Sequence, residues 1–140
     1  MPNLYMPRHF HTVTPYFTVS GADKLIEFMK AAFEAKLLNR SHREDGSVQH
    51  AEVMIGDTIV EVTDANDRFA ARPSTVHLFV ADTDDCYRRA LEAGAASSAR
   101  ICRTENGARA SKTRSVTTGT SPRLRPEKAK VTMTSDAAFT

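Results

Sequence analysis

The chain has 140 residues, a formal net charge of +2 and two cysteines. That is long enough for one domain with a real core, and two cysteines exclude a disulfide framework. No apolar run reaches the roughly 18 residues of a membrane-spanning helix, and Met1 to His11 lacks the apolar stretch of a signal peptide, so a soluble cytoplasmic protein is expected.

The average charge conceals a break near Ala99. Residues 1–98 hold 10 Lys and Arg against 14 Asp and Glu, whereas residues 99–140 hold 9 against 3. The later segment has a single aromatic residue, Phe139, is dense in Ser and Thr, and shows no apolar period of 2 or 3.6. A single folding unit does not change composition so sharply within an element, so functional residues are sought in the first part.

In chain order, His11–Val19 (HTVTPYFTV) alternates and is rich in β-branched and aromatic residues, which predicts a strand. Pro15 cannot donate to a ladder and favours a sheet edge or an irregular start. Ser20 precedes Asp23 by three positions, a variant of the capping box. Leu25, Phe28, Met29, Ala32 and Phe33 then form one apolar helical face. Leu37–Ser41 can form a short strand. Asp45-Gly46 predicts a hairpin with a type I′ turn. Val48–Ile55 (VQHAEVMI) and Thr58–Thr63 (TIVEVT) are further strands about the Gly56 turn. Asp64–Pro73 is polar and reads as a linker. Thr75–Val80 (TVHLFV) restarts the pattern as a strand. Asp82 or Asp84 can cap a helix carrying Cys86, Tyr87, Ala90 and Leu91, which Gly94 stops. The order is β-α-β-β-β and then β-α, which predicts an internal duplication cut short after the second helix.

Three strings, HTVTPYFTVSGADKLIEFMKAAF, SHREDGSVQHAEVMIGDTIVEV and HLFVADTDDCYRRALEAGA, together resemble the vicinal-oxygen-chelate superfamily of glyoxalase I, the bleomycin-resistance proteins and extradiol dioxygenases. The PhnB-like branch is the nearest in look, and the resemblance covers residues 11–96. It implies an α+β fold of paired βαβββ modules that curl into a cup around a small-molecule site, usually completed by dimerisation. The expected domain is therefore residues 11–98, with a complete first module and a partial second one.

The resemblance also implies three closing strands with a Lys-Asp-Pro-Phe-Gly-Asn turn, where this chain reads RICRTENGARASKTRSVTTGTSPRL. Suitable codons for Arg100 through Leu124, read from the last base of each codon into the next, spell DMPYGERGAGVKDPFGNYWYIATP. Wobble bases are free, so one match is cheap, but an unbroken run of this length is not. Residues 99–140 are thus expected to be a basic tail, disordered or translated out of frame, that does not supply the missing strands and leaves the cup open.

Glyoxalase-like relatives are implied to hold a divalent metal with one ligand from each of four strands. The matching positions here are Thr14, a poor ligand, Glu61, a good one, a position near Thr75 with His77 two residues on, and one in the displaced segment. That set is too incomplete for a metal to be expected. Tyr16, Glu61 and His77 are the candidate substrate-binding residues. Tyr16 suits a cavity wall or the core. His50 and Glu52 form an H-x-E pair on one strand face, suited to a metal or to a satisfied surface pair. His42, beside the turn, reads as solvated, and nothing pairs His9 or His11 with a carboxylate. No phosphate loop, nucleophile elbow or zinc spacing occurs. The basic tail lacks the interleaved aromatics of a single-strand nucleic-acid binder. The expected partners are a small molecule and a second copy of the chain, without nucleic acid or membrane. The expected activity is that of a glyoxalase/bleomycin-resistance-like binder or lyase, impaired by loss of the last strands, or alternatively a non-catalytic, ligand-sequestering protein.

Overall fold

The computed structural model describes residues 5–99, 114–117 and 131–135. The chain divides into two compact units, with the break between Arg72 and Pro73.

The first unit contains β1 (Tyr16–Val19), α1 (Ala22–Phe33), β2 (Lys36–His42), β3 (Val48–Ile55) and β4 (Thr58–Asp64). Its sheet has the order β1-β4-β3-β2, with β1 parallel to β4 and the other pairs antiparallel. This is the expected βαβββ module. β1 lies at the edge, as Pro15 requires, and starts only at Tyr16. Pro15 has no N–H to donate, although its carbonyl accepts from the Glu61 N–H at 2.9 Å.

The apolar stripe of α1 is buried as its spacing predicts: Leu25, Phe28, Met29, Ala32 and Phe33 all lie inside, joined by Ile26. The helix packs on β2, β3 and β4. The other side of the core is the face of the sheet bearing Phe17, Val19, Ala51, Val53 and Val62, all nearly inaccessible. The rings of Phe28 and Phe33 meet edge-on with centroids 5.5 Å apart.

The Ser20–Asp23 capping box does not form. The residue before α1 is Gly21, at φ +89°, and no side chain of its own segment caps the helix. Asp64 does so from the end of β4: its Oδ1 accepts from the N–H groups of Gly21 at 2.9 Å and Ala22 at 2.8 Å. Its Oδ2 accepts from the Val48 N–H at 2.7 Å. One carboxylate thus satisfies free donors at the positive end of the helix dipole and ties α1 to β3 and β4. Asp23 turns outward and pairs with Arg40 at 2.8 Å.

The hairpin between β2 and β3 falls where Asp45-Gly46 places it, but not as a type I′ turn. Of its residues only Gly46 takes a positive φ, +84°. The Gly46 N–H donates to the Arg43 carbonyl and the Arg43 N–H to that of Ser47. This is a type I turn followed by a left-handed glycine. The Ser47 hydroxyl and N–H both donate to Asp45 Oδ1 and hold that carboxyl below its usual range, with a smaller contribution from the charge of Arg43.

The second unit contains β5 (Ser74–Leu78), α2 (Thr83–Glu92), β6 (Ala96–Ala99), β7 (Arg114–Thr117) and β8 (Val131–Ser135). Asp82 caps α2 by accepting from the Asp85 N–H at 2.9 Å. Cys86 and Ala90 are buried, while Leu91 is 39% exposed. The expectation of a module truncated after α2 is corrected here. β6, β7 and β8 pair into a four-stranded sheet of order β5-β8-β7-β6, repeating that of the first unit. Short runs such as RSVT and VTMTS are rich in β-branched residues, which favour strands. The directions differ, however: β8 runs antiparallel to β5 and parallel to β7, whereas β4 runs parallel to β1 and antiparallel to β3. The rest of the tail lies outside the described residues.

Candidate functional site

The face of the first sheet turned away from α1 carries polar side chains from three strands. Tyr16 of β1 stands opposite Glu61 of β4, and Glu61 stands opposite Glu52 of β3. Two carboxylates at directly opposed positions repel one another and cost stability. His50 sits between them, its Nε2 3.4 Å from Glu61 Oε1 and 3.6 Å from Glu52 Oε1. The Tyr16 ring lies over the same cluster, 6.3 Å from the imidazole between centroids.

Alternation along β3 places His50 on the same face as Glu52, and a bulge adds Gln49 beside it. The β2–β3 register steps from Ser41 opposite His50 to His42 opposite Val48, leaving Gln49 as the extra residue. Val48 and Ala51 are both buried, so Gln49 and His50 share the interval between them and both lie off the core face. The side chains of His50, Glu52 and Glu61 are 33%, 26% and 24% exposed. They are shielded enough to strengthen their mutual interaction and open enough to meet a solute.

Two of the three predicted binding residues, Tyr16 and Glu61, are thus brought together as register partners. The third, His77, lies on β5 in the other unit, exposed and opposite Thr132. His50 and Glu52, read in the sequence as a pair of open purpose, join the Tyr16–Glu61 cluster. Their H-x-E spacing was the available signal, while the approach of Glu61 depends on pairing with β4. The residues do not fit the implied metal. Thr14 and Thr75 offer only hydroxyls, and the fourth position lies outside the described residues. Among the described residues no three His, Cys, Asp or Glu side chains are placed to hold a metal ion.

Beside this cluster a groove of about 620 Å³ runs along the same sheet face, past Tyr16, Thr18 and Thr63, under residues 66–72. The segment expected to be a linker is a built wall. Its ends are fastened to β1 by Ala65 N–H to the Val19 carbonyl at 2.8 Å and Arg72 N–H to the Thr18 carbonyl at 3.0 Å. Within it the Asn66 carboxamide oxygen accepts from the N–H groups of Arg68 and Phe69.

The arrangement of elements is shared with solved structures. TioX from Micromonospora sp. ML1 is 18% identical, with a TM-score of 0.52 over 93% of this chain and 99% of that one. The PhnB protein from Bacillus cereus is 14% identical, with a TM-score of 0.53 over 90% of this chain and all of that one. The fosfomycin resistance protein FosX from Listeria monocytogenes is 12% identical, with a TM-score of 0.52 over 91% of this chain and 90% of that one. Its structure was solved with Mn(II) and 1S,2S-dihydroxypropylphosphonic acid. All three are vicinal-oxygen-chelate proteins, and this chain has their fold. No family model matches the chain. Uncharacterised proteins of Mycobacterium bovis and Mycobacterium tuberculosis are 32% identical over 94 residues, 59% of this chain. The matched region spans 62% and 55% of those relatives, so the chain covers less than two thirds of their length. No helix among the described residues is long and apolar enough to cross a membrane.

Proposed function

We propose that the chain is a small-molecule-binding protein that takes an organic cation on the open face of its first sheet. The observation that carries this reading is the cross-strand pair Glu52–Glu61 with His50 between them and Tyr16 alongside. An arrangement that opposes like charges at a partly shielded position works against stability, and such local conflicts concentrate at functional sites. A bound ammonium or amidinium group on the open face, within reach of both carboxylates, relieves the repulsion. The Tyr16 ring supplies an aromatic face for cation–π contact. Binding without chemistry is favoured over a lyase because Thr14 and Thr75, at two of the implied ligand positions, are poor metal ligands. The same proposal includes a homodimer, in which a second copy closes the cup.

Calorimetric titration with benzylamine and with neutral benzyl alcohol tests the reading. The amine is expected to bind, the alcohol to bind much more weakly, and Glu61→Gln to reduce amine affinity about tenfold, as loss of a charged partner does. Equal binding of amine and alcohol, or an unaffected Glu61→Gln variant, overturns it. Turnover of the glutathione–methylglyoxal adduct in the presence of a divalent metal would instead establish the enzymatic reading. Sedimentation of the purified chain decides the dimer, and a monomer at all concentrations removes it.

A further inference from the structure

The groove beside the acidic cluster has the opposite electrostatic character. Its lining includes Arg43, Arg68 and Arg72 together with Phe69 and Gln49, and contains no carboxylate side chain. The arginines differ in how they are held. The Arg43 guanidinium donates to Ser47 Oγ at 3.0 Å, the Val48 carbonyl at 3.2 Å, Thr63 Oγ1 at 3.3 Å and the Asp64 carbonyl at 3.4 Å. These acceptors are neutral, so they orient the group without cancelling its charge. Asp45 contributes a Coulombic attraction from the exposed turn, but its carboxylate is engaged by Ser47. Among the described residues, Arg68 and Arg72 have no ion-pair partner, and both are exposed. Asp67, between them in sequence, is not part of the lining.

The backbone that presents them is ordered in advance. Residues 65–72 are pinned to β1 at both ends, and the Asn66 turn closes on itself through two backbone and two side-chain hydrogen bonds. Phe69, 63% exposed, is held in this turn at the groove despite the cost of leaving its ring in water. A preorganised wall carrying two unpaired guanidinium groups and an exposed ring, facing a third fixed guanidinium, suits an anion attached to a flat apolar body.

We propose that this groove is a second binding site, for a compact organic anion whose phosphoryl, phosphonyl or carboxyl group lies among Arg43, Arg68 and Arg72 and whose apolar part lies against Phe69. Tyr16 borders both sites, but this one does not depend on the cation reading above, because neither Glu52, Glu61 nor His50 lines it.

The test is titration of the full chain with phenyl phosphate, inorganic phosphate and benzoate, followed by amide chemical shifts and calorimetry. Phenyl phosphate is expected to bind and to weaken as salt is raised. The double variant Arg68→Gln/Arg72→Gln is expected to reduce its affinity about tenfold or more. Both arginines are exposed and outside any ion pair among the described residues, so an unchanged thermal midpoint confirms that the variant folds. Phe69→Ala is expected to weaken phenyl phosphate while leaving inorganic phosphate unchanged. Tighter binding of phenyl phosphate than of benzoate assigns a phosphoryl group, and the reverse order a carboxylate. Glu61→Gln, which weakens the cation site, is expected to leave all three unaffected, so the two sites fail separately. No binding of any of the three anions, or equal affinity in the wild type and the double variant, overturns the proposal.

Discussion

At the scale of single residues, Asp64 links the start of α1 to β3 and β4 in the first module. It lies where the polar segment 64–73 begins and shows no local signal of a cap, because the helix it serves starts 42 positions earlier. Its two oxygens accept three backbone N–H groups from two elements besides its own strand. Removing the carboxylate leaves those donors unsatisfied in a partly buried place. Asp64→Ala is therefore expected to cost about 2–3 kcal/mol in chemical denaturation. Asp64→Asn, which keeps one acceptor oxygen, is expected to lose about 1 kcal/mol, as a single neutral hydrogen bond does. Equal stability of Asp64→Ala and wild type would show that solvent replaces the carboxylate at no cost.

At the scale of elements, the stripe on α1 joins the helix to the sheet. Phe28 is 5% exposed and packs edge-on against Phe33. Phe28→Ala is expected to cost about 3–5 kcal/mol as a core truncation that leaves a cavity. A loss below about 1 kcal/mol would mean that the helix repacks without it. β3 and β4 are legible from alternation, and β3 occupies the residues its pattern predicts, Val48–Ile55, whereas β1 is shorter than the alternating run His11–Val19. The Gln49 bulge is not legible. Simple alternation puts Gln49 on the core side with Ala51 and Val53, and Val48 on the other face with His50, whereas the register slip turns Gln49 out and lets Val48 be buried. The place of Gln49 in the lining of the groove depends on this slip.

At the scale of the whole molecule, the two units share a strand order but not a set of directions. The reversed β8 is built from residues in the segment whose composition breaks from that of the body. The displaced reading frame inferred from residues 100–124 predicts a one-base lesion in the coding DNA near Ala99, which sequencing that stretch checks. Restoring the frame is expected to raise the thermal unfolding midpoint and to produce a last strand parallel to β5, as β4 is to β1. A repaired chain no more stable than the present one would mean that this tail already completes the second unit.

The sequence alone determined the element order, the buried face of α1, the edge position of β1 and the resemblance that names the fold. Each follows from local periodicity, from proline's missing donor, or from strings of residues read in order. It also marked Tyr16, Glu61 and the His50–Glu52 pair as separate candidates. Only the tertiary structure decided that these four stand together, that Asp64 caps a helix from the far end of the sheet, and that residues 64–73 build a wall instead of a linker. Strand register and bulges arise from pairing between segments far apart in the chain, and neither periodicity nor spacing along one segment encodes which residue will stand opposite which.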